Sequence, residues 1–266
     1  MQAATEQPTL GELGHDLLKI TKWQRVRGLT TPFVASAMYW VFASFGYWPL
    51  AVASLVVLSF VTYGSISHDL VHRTLGVSPR VGRIFLSLIE LLALRSGHAY
   101  RAIHLHHHAR YPHDDDVEGQ AAKMSFWRAI AEGFVFVPRT TLWALKHAKT
   151  DRTWIICETI VVCVLIVTSI ALLPISMVPF GYVALMIAGS WIIPIITSWI
   201  PHDPTQEDPV HQTRVFRGFI FRVIAIDHLY HLEHHLYPAV PHQNWPELAK
   251  RLNPWLDEQG IEPIRL

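Results

Sequence analysis

The chain has 266 residues, 51% of them hydrophobic and 16% charged, with a formal net charge of +1. A typical soluble domain is about 25% charged, so the composition speaks against an ordinary soluble enzyme. The near-neutral balance, with basic residues spread rather than striped, excludes a nucleic-acid partner. The excess residue type is histidine, at 17.

Residues 1–27 read as a polar, partly amphipathic lead-in. Leu13, Leu17, Leu18, Ile20 and Trp23 fit a face lying along a membrane surface. No basic segment leads directly into an apolar run with a cleavage site, so no removable signal peptide is expected. From Gly28 to Ser67 there is no Lys, Arg, Asp or Glu. About 20 such residues cross a bilayer as a helix, and Gly46-Tyr47-Trp48-Pro49 breaks the run, since glycine and proline make turns. Two spans follow, at 29–46 and 49–67.

The second span leads straight into His68-Asp69-Leu70-Val71-His72. Ile84 to Leu94 is apolar but too short to cross and contains Glu90, which fits an interfacial or re-entrant helix. His104-Leu105-His106-His107-His108 comes next, then the acidic Asp114-Asp115-Asp116. Residues 117–152 read as a surface helix region anchored by Phe126, Trp127 and Trp143. A second charge-free run covers Thr159 to Pro201, broken between Pro174 and Pro179. It gives spans at about 155–173 and 178–200. Cys157 and Cys163, at the start of this third span, read as small apolar packing residues without a disulfide. His202 lies just past the fourth span, and His231-Leu232-Glu233-His234-His235 lies in the tail.

Buried helices of a soluble protein are the competing reading of these runs. Soluble helices rarely stay uncharged on every face for so long. All 22 Lys and Arg lie outside the two runs, and the positive-inside rule then puts both termini and the middle segment in the cytoplasm. The expected fold is a single-domain, all-α integral membrane protein. Four transmembrane helices form two hairpins, under a cytoplasmic histidine-rich cap made of 68–152 and 201–266. There is no internal repeat, and no separate reductase, ferredoxin or cytochrome domain.

Residues at i, i+3 and i+4 share a helix face. His68 and His72 therefore share one, as do His104, His107 and His108, and His231, His234 and His235. Imidazole is a common ligand for zinc, copper, iron and nickel. Eight imidazoles exceed the needs of one tetrahedral zinc and suit two metals in one site. His202 is a further candidate ligand. His228, three residues before His231, is a candidate ligand or supporting group. Asp69, Asp227 and Glu233 are candidates to accept the second ring N–H of a ligating histidine. His106 falls off the shared face. His15, His147, His211 and His242 read as ordinary surface or hydrogen-bonded histidines, and His98 and His113 stay open.

Zinc hydrolases carry His-Glu-x-x-His, whereas the second position here is Asp69. A transporter places polar ligands near the bilayer midplane, and these spans hold almost none. A non-catalytic metal-binding or transport protein stays as one alternative. Iron with open coordination positions beside a membrane suggests oxygen activation and attack on an unactivated C–H bond.

The three histidine boxes resemble those of the membrane fatty-acid desaturase and hydroxylase superfamily. The resemblance runs from about the first span to Pro246. It implies a non-haem di-iron centre on the cytoplasmic side, O2 as co-substrate and His202 as a ligand. It implies too a lipid substrate that enters between the spans beneath the irons. Trp199-Ile200-Pro201-His202-Asp203-Pro204 and Tyr230 to Pro241, with the acidic run after the second box, are similar to carotenoid β-ring ketolases and hydroxylases. Ring hydroxylation or ketolation is therefore the expected activity, and acyl-lipid desaturation the alternative. Electrons must come from a separate ferredoxin-like carrier or reductase chain.

Overall fold

The first helices begin where threonine caps them. Helix α1 (Leu10–Leu13) starts at Thr9 and helix α2 (Lys22–Ser44) at Thr21, each with a reciprocal bond from the residue three further on, Glu12 or Gln24. Such a box satisfies two otherwise unpaired N–H groups. This moves the start of α2 seven residues ahead of the first expected span. The computed structural model describes residues 6–206, 208–218 and 228–265.

Helix α3 (Trp48–Val61) opens with Pro49, where a missing N–H costs nothing. It passes through a π-helical turn, Thr62–Ile66, into α4 (Ser67–His72). Together they form one rod of 25 residues, Trp48–His72. Helices α5 (Pro79–Leu92) and α6 (Gly97–Arg110) start at Ser78 and Ser96, whose hydroxyls accept from Val81 N and Ala99 N. Helices α7 (Phe126–His147), α8 (Arg152–Ala171) and α9 (Met177–Ser190) follow. A second π-helical turn, Ile195–Trp199, leads to His202.

Among the described residues, three helices are long and apolar enough to cross a membrane: Trp48–His72, Arg152–Ala171 and Met177–Trp199. The outward side of α8 is apolar, with Ile160, Val164 and Val167 exposed. Cys157 and Cys163 are free, as expected, yet they lie on this exposed side rather than in packing. Helix α2 has 23 residues but is absent from the three. Lys22, Arg25 and Arg27 in its first turns, with Thr30, Thr31, Ser36 and Tyr39, lower its hydropathy. Helix α5 has 14 residues, about 21 Å, and is too short to cross.

The tail carries the short helix His231–Leu236 and the helix Trp245–Glu258. Phe216–Arg217 and Ile264–Arg265 pair as parallel strands, with Phe216 opposite Ile264. This small ladder departs from the all-α expectation. Leu13 and Leu17 also depart from theirs. They pack on Leu232, Trp245, Leu248 and Leu252 of the tail, each fully buried leucine contributing roughly 2 kcal/mol. The lead-in therefore covers the tail and helps fix the third histidine box. Below the boxes a second core joins Tyr63, Ile66, Leu86, Tyr100 and Phe136.

Candidate metal centre

The nine histidines selected from the sequence as ligands fall into two groups. His68, His72, His104, His108 and His234 form one, and His107, His202, His231 and His235 the other. Within each group the ligand atoms lie within 4.8 Å of one another. The groups adjoin, since the rings of His108 and His235 are 4.5 Å apart. Two π-helical turns precede the contributing residues His68 and His202. Such turns re-aim side chains and often occur at functional sites.

Nε2 atoms face each other inside the groups. The separations are 2.9 Å for His68–His234, 2.6 Å for His234–His108 and 3.2 Å for His108–His104. In the other group they are 3.3 Å for His107–His235, 3.4 Å for His202–His235, 3.1 Å for His231–His202 and 3.0 Å for His235–His231. A metal–imidazole bond of about 2.1 Å puts neighbouring donors about 3.0 Å apart at right angles and about 3.4 Å apart at the tetrahedral angle.

Hydrogen bonding alone does not satisfy this arrangement. His107 Nδ1 is 2.7 Å from Asp116 Oδ2, His104 Nδ1 is 3.0 Å from Glu118 Oε2, and His202 Nδ1 is 3.1 Å from the Ser198 carbonyl. In the neutral ring that a metal needs, each Nδ1 donates to its oxygen and each Nε2 is left as a bare lone pair. His235 Nε2 faces two such nitrogens, those of His107 and His202, and His231 Nε2 besides, and one N–H serves only one of them. A cation satisfies them all, so the donor set fits one metal in each group.

Electrostatics point the same way. Burial, then repulsion from neighbouring imidazoles, pushes His231, His234 and His235 well below the usual histidine value. Burial opposes ionisation of Glu118 and Asp116, but His104 and His107 outweigh it, and both carboxylates lie below their usual range. They stay ionised and able to accept. Asp116 Oδ1 also takes the N–H groups of Glu118 and Gly119. A side chain at Gly119 would run into the Asp116 carboxylate, so this turn needs glycine.

The family model described as fatty acid desaturase matches residues 43–264. The chain belongs to the fatty acid desaturase family. A search of curated proteins finds no match. Membership marks the chain as a membrane oxidoreductase, and the two histidine groups fit its metal chemistry.

In this desaturase-family chain the supporting acids differ from those expected. Asp69 accepts from His242 N at 3.0 Å and His242 Nδ1 at 2.7 Å, not from a ligand ring. Glu233 pairs with Arg217 at 2.5 Å. Glu233 lies one residue before His234 and two after His231, spacings that do not share a face; Asp69, three residues before His72, has both carboxylate oxygens taken by His242 instead. Asp227 lies outside the described residues. His242, expected as an ordinary surface or hydrogen-bonded histidine, is hydrogen-bonded to Asp69. His228 joins neither group. Its Nε2 lies 3.0 Å from the Phe60 carbonyl, and burial pushes it down to about 4. A Cβ on Gly64 would sit 2.5 Å from His228 Nδ1, so this glycine makes room for the ring.

Two further histidines are held away from the centre. His98 is held by Glu158 at 2.8 Å and stacks on Trp154. His106 Nε2 is 3.1 Å from the Asp115 carbonyl, off the centre. The two acids sequence reasoning missed are Asp116 and Glu118. The acidic run directly after the second box was the signal for the first of them.

A small cavity reaches the centre. Tyr63, Gly64, Tyr100, His104 and His228 are among its walls. Tyr63, Ile196, Thr197 and His228 also line a second, mostly apolar space that runs between α3 and α9 past Phe60, Gly189 and Ile192. Each holds about 30 Å³, the room of a water or two.

Proposed function

We propose that the chain is a multi-pass membrane oxygenase with two irons, which oxidises C–H bonds of an apolar lipid using O2. The observation that carries this is the convergence of nine imidazoles in two adjoining groups, opening onto an apolar slot between two helices able to cross a membrane. Iron held there supplies oxygen activation and hydrogen abstraction. His68, His72, His104, His108 and His234 hold one ion. His107, His202, His231 and His235 hold the other. Asp116 and Glu118 hold two of these rings in the tautomer that leaves Nε2 free. Tyr63, Phe60 and Ile196 line the approach and keep water from it.

Four spans, counting α2, form two hairpins in this reading, with both termini and all three boxes in the cytoplasm. The distribution of Lys and Arg supports it. A separate ferredoxin-like protein or reductase delivers electrons.

The substrate we propose is a carotenoid-like ring, hydroxylated or ketolated. Trp199 to Pro204 and Tyr230 to Pro241, similar to ring ketolases and hydroxylases, support it. An acyl-lipid desaturase is the second reading, and the narrow slot favours it. The slot would have to widen for either substrate, and a polymethylene chain needs less widening than a ring does. Co-expression with a β-carotene pathway separates the two. New hydroxy- or keto-carotenoids are the expected products. New double bonds in fatty acids with unchanged pigments reject the ring substrate.

A further inference from the structure

Away from the metal centre, a cavity of about 150 Å³ lies between α4, α5, α6 and the residues leading into α8. Arg73, Arg83 and Arg101 all reach its wall. Two of these guanidinium groups share one acid: Asp151 takes Arg83 at 2.8 Å and Arg101 at 2.7 Å. The other acid on the wall, Asp69, has both oxygens engaged by His242. Arg73 makes no ion pair among the described residues, and Arg83 and Arg101 keep further N–H groups beyond those Asp151 takes. The cavity therefore carries more guanidinium donors than carboxylate acceptors. Ser78 and Thr150 add neutral polar groups.

Arg73 sits there against backbone preference. It ends α4 in the left-handed region, at φ 60° and ψ 30°. That position favours glycine, and a side chain there costs about 1 kcal/mol. The cavity's place also matters. Arg73 directly follows the rod Trp48–His72, and Asp151 directly precedes the helix Arg152–Ala171. The polar ends of two helices able to cross a bilayer flank it, which in the membrane reading proposed above is the headgroup side. Forked guanidinium donors match phosphate oxygens, and basic pockets between such helices take anionic headgroups.

We propose that this cavity binds the headgroup phosphate of an anionic phospholipid from the leaflet on the histidine side. The proposal rests on the chain being embedded in a bilayer with this face at the headgroups.

The test uses full-length, metal-loaded protein stripped of lipid in detergent. It is then exchanged into nanodiscs of phosphatidylcholine, with or without phosphatidylglycerol. Mass spectrometry counts the lipid retained when the protein is extracted again. Phosphatidylglycerol should be retained over phosphatidylcholine. Arg73→Gly and Arg101→Gln should each reduce that retention about fivefold, the factor matching about 1 kcal/mol per basic residue. Glycine suits the Arg73 backbone, so Arg73→Gly should keep its fold, checked by metal content and melting temperature. Equal retention of the two lipids, or wild-type retention in both variants, overturns the proposal. So does full displacement by millimolar inorganic phosphate, which would make this a site for soluble phosphate. Failure of the membrane reading looks different, because the protein would not enter nanodiscs at all.

Discussion

The two histidine groups are built by different means. Around His107, His202, His231 and His235, hydrogen bonds set ring orientation: Asp116 holds His107 and the Ser198 carbonyl holds His202. Around His68, His72, His104, His108 and His234, a carboxylate holds His104 alone among the described residues. His68 Nδ1 and His234 Nδ1 are buried without a hydrogen-bond partner. Packing takes over there, with the Trp245 ring 5.2 Å from His68 and 5.3 Å from His234. One metal position should respond to changes of charge and tautomer, the other to changes of shape.

Removing a ligand from each group is the largest break. His107→Ala and His234→Ala should each abolish turnover, and each should lose the metal of its own group first. Metal analysis per chain, paired with product analysis, reads both effects. Retained turnover and full metal content in the two variants would overturn the grouping.

Next come the carboxylates. Asp116→Asn and Glu118→Gln keep size and remove charge. Outer groups of this kind typically change metal affinity or activity 10- to 100-fold. Asp116→Asn should weaken the group of His107, and Glu118→Gln the group of His104. Metal titration of each variant tests the assignment, and an effect on the wrong group refutes it.

How much of this was legible in the chain follows from where the signals lie. The nine imidazoles were readable because histidine is uncommon and helical spacing survives in sequence. The apolar helices were readable because charge is absent for so long. The pairing of Glu118 with His104 was not, since it depends on a turn that folds the chain back on α6. Nor was Asp69 with His242, 173 residues apart. Adjacency misled at Glu233, because neighbours along a helix point away from each other, and at Asp69 a histidine distant in sequence took the carboxylate. The packing of Leu13 and Leu17 on the tail is another long-range contact that no local pattern encodes.

Trp245→Phe sharpens the contrast with a smaller effect. Trp245 is 3% exposed and donates from Nε1 to the Val240 carbonyl at 3.0 Å. Phenylalanine keeps an aromatic wall but loses that bond and part of the ring, at a cost of about 1–2 kcal/mol. Thermal unfolding should show the loss. Metal binding should weaken in the group containing His68 and His234 and hold in the other. Equal weakening of both groups would mean that packing supports them alike.

The smallest effect comes from the same chemical change placed at the surface. Asp16 binds the Arg251 guanidinium with both oxygens, at 2.8 and 2.7 Å, which is geometry as good as that of Asp116 with His107. Yet the Asp16 side chain is 61% exposed and that of Asp116 1%. Water and salt screen the first pair, while the second works in a buried site where an ionised acceptor fixes a ring. Asp16→Asn should therefore leave metal content intact and shift the melting temperature less than Trp245→Phe does, although the pair ties the lead-in to the helix Trp245–Glu258. A loss of metal in Asp16→Asn to match that in Asp116→Asn would show that docking of the lead-in, and not the local hydrogen bond, holds the histidines in place.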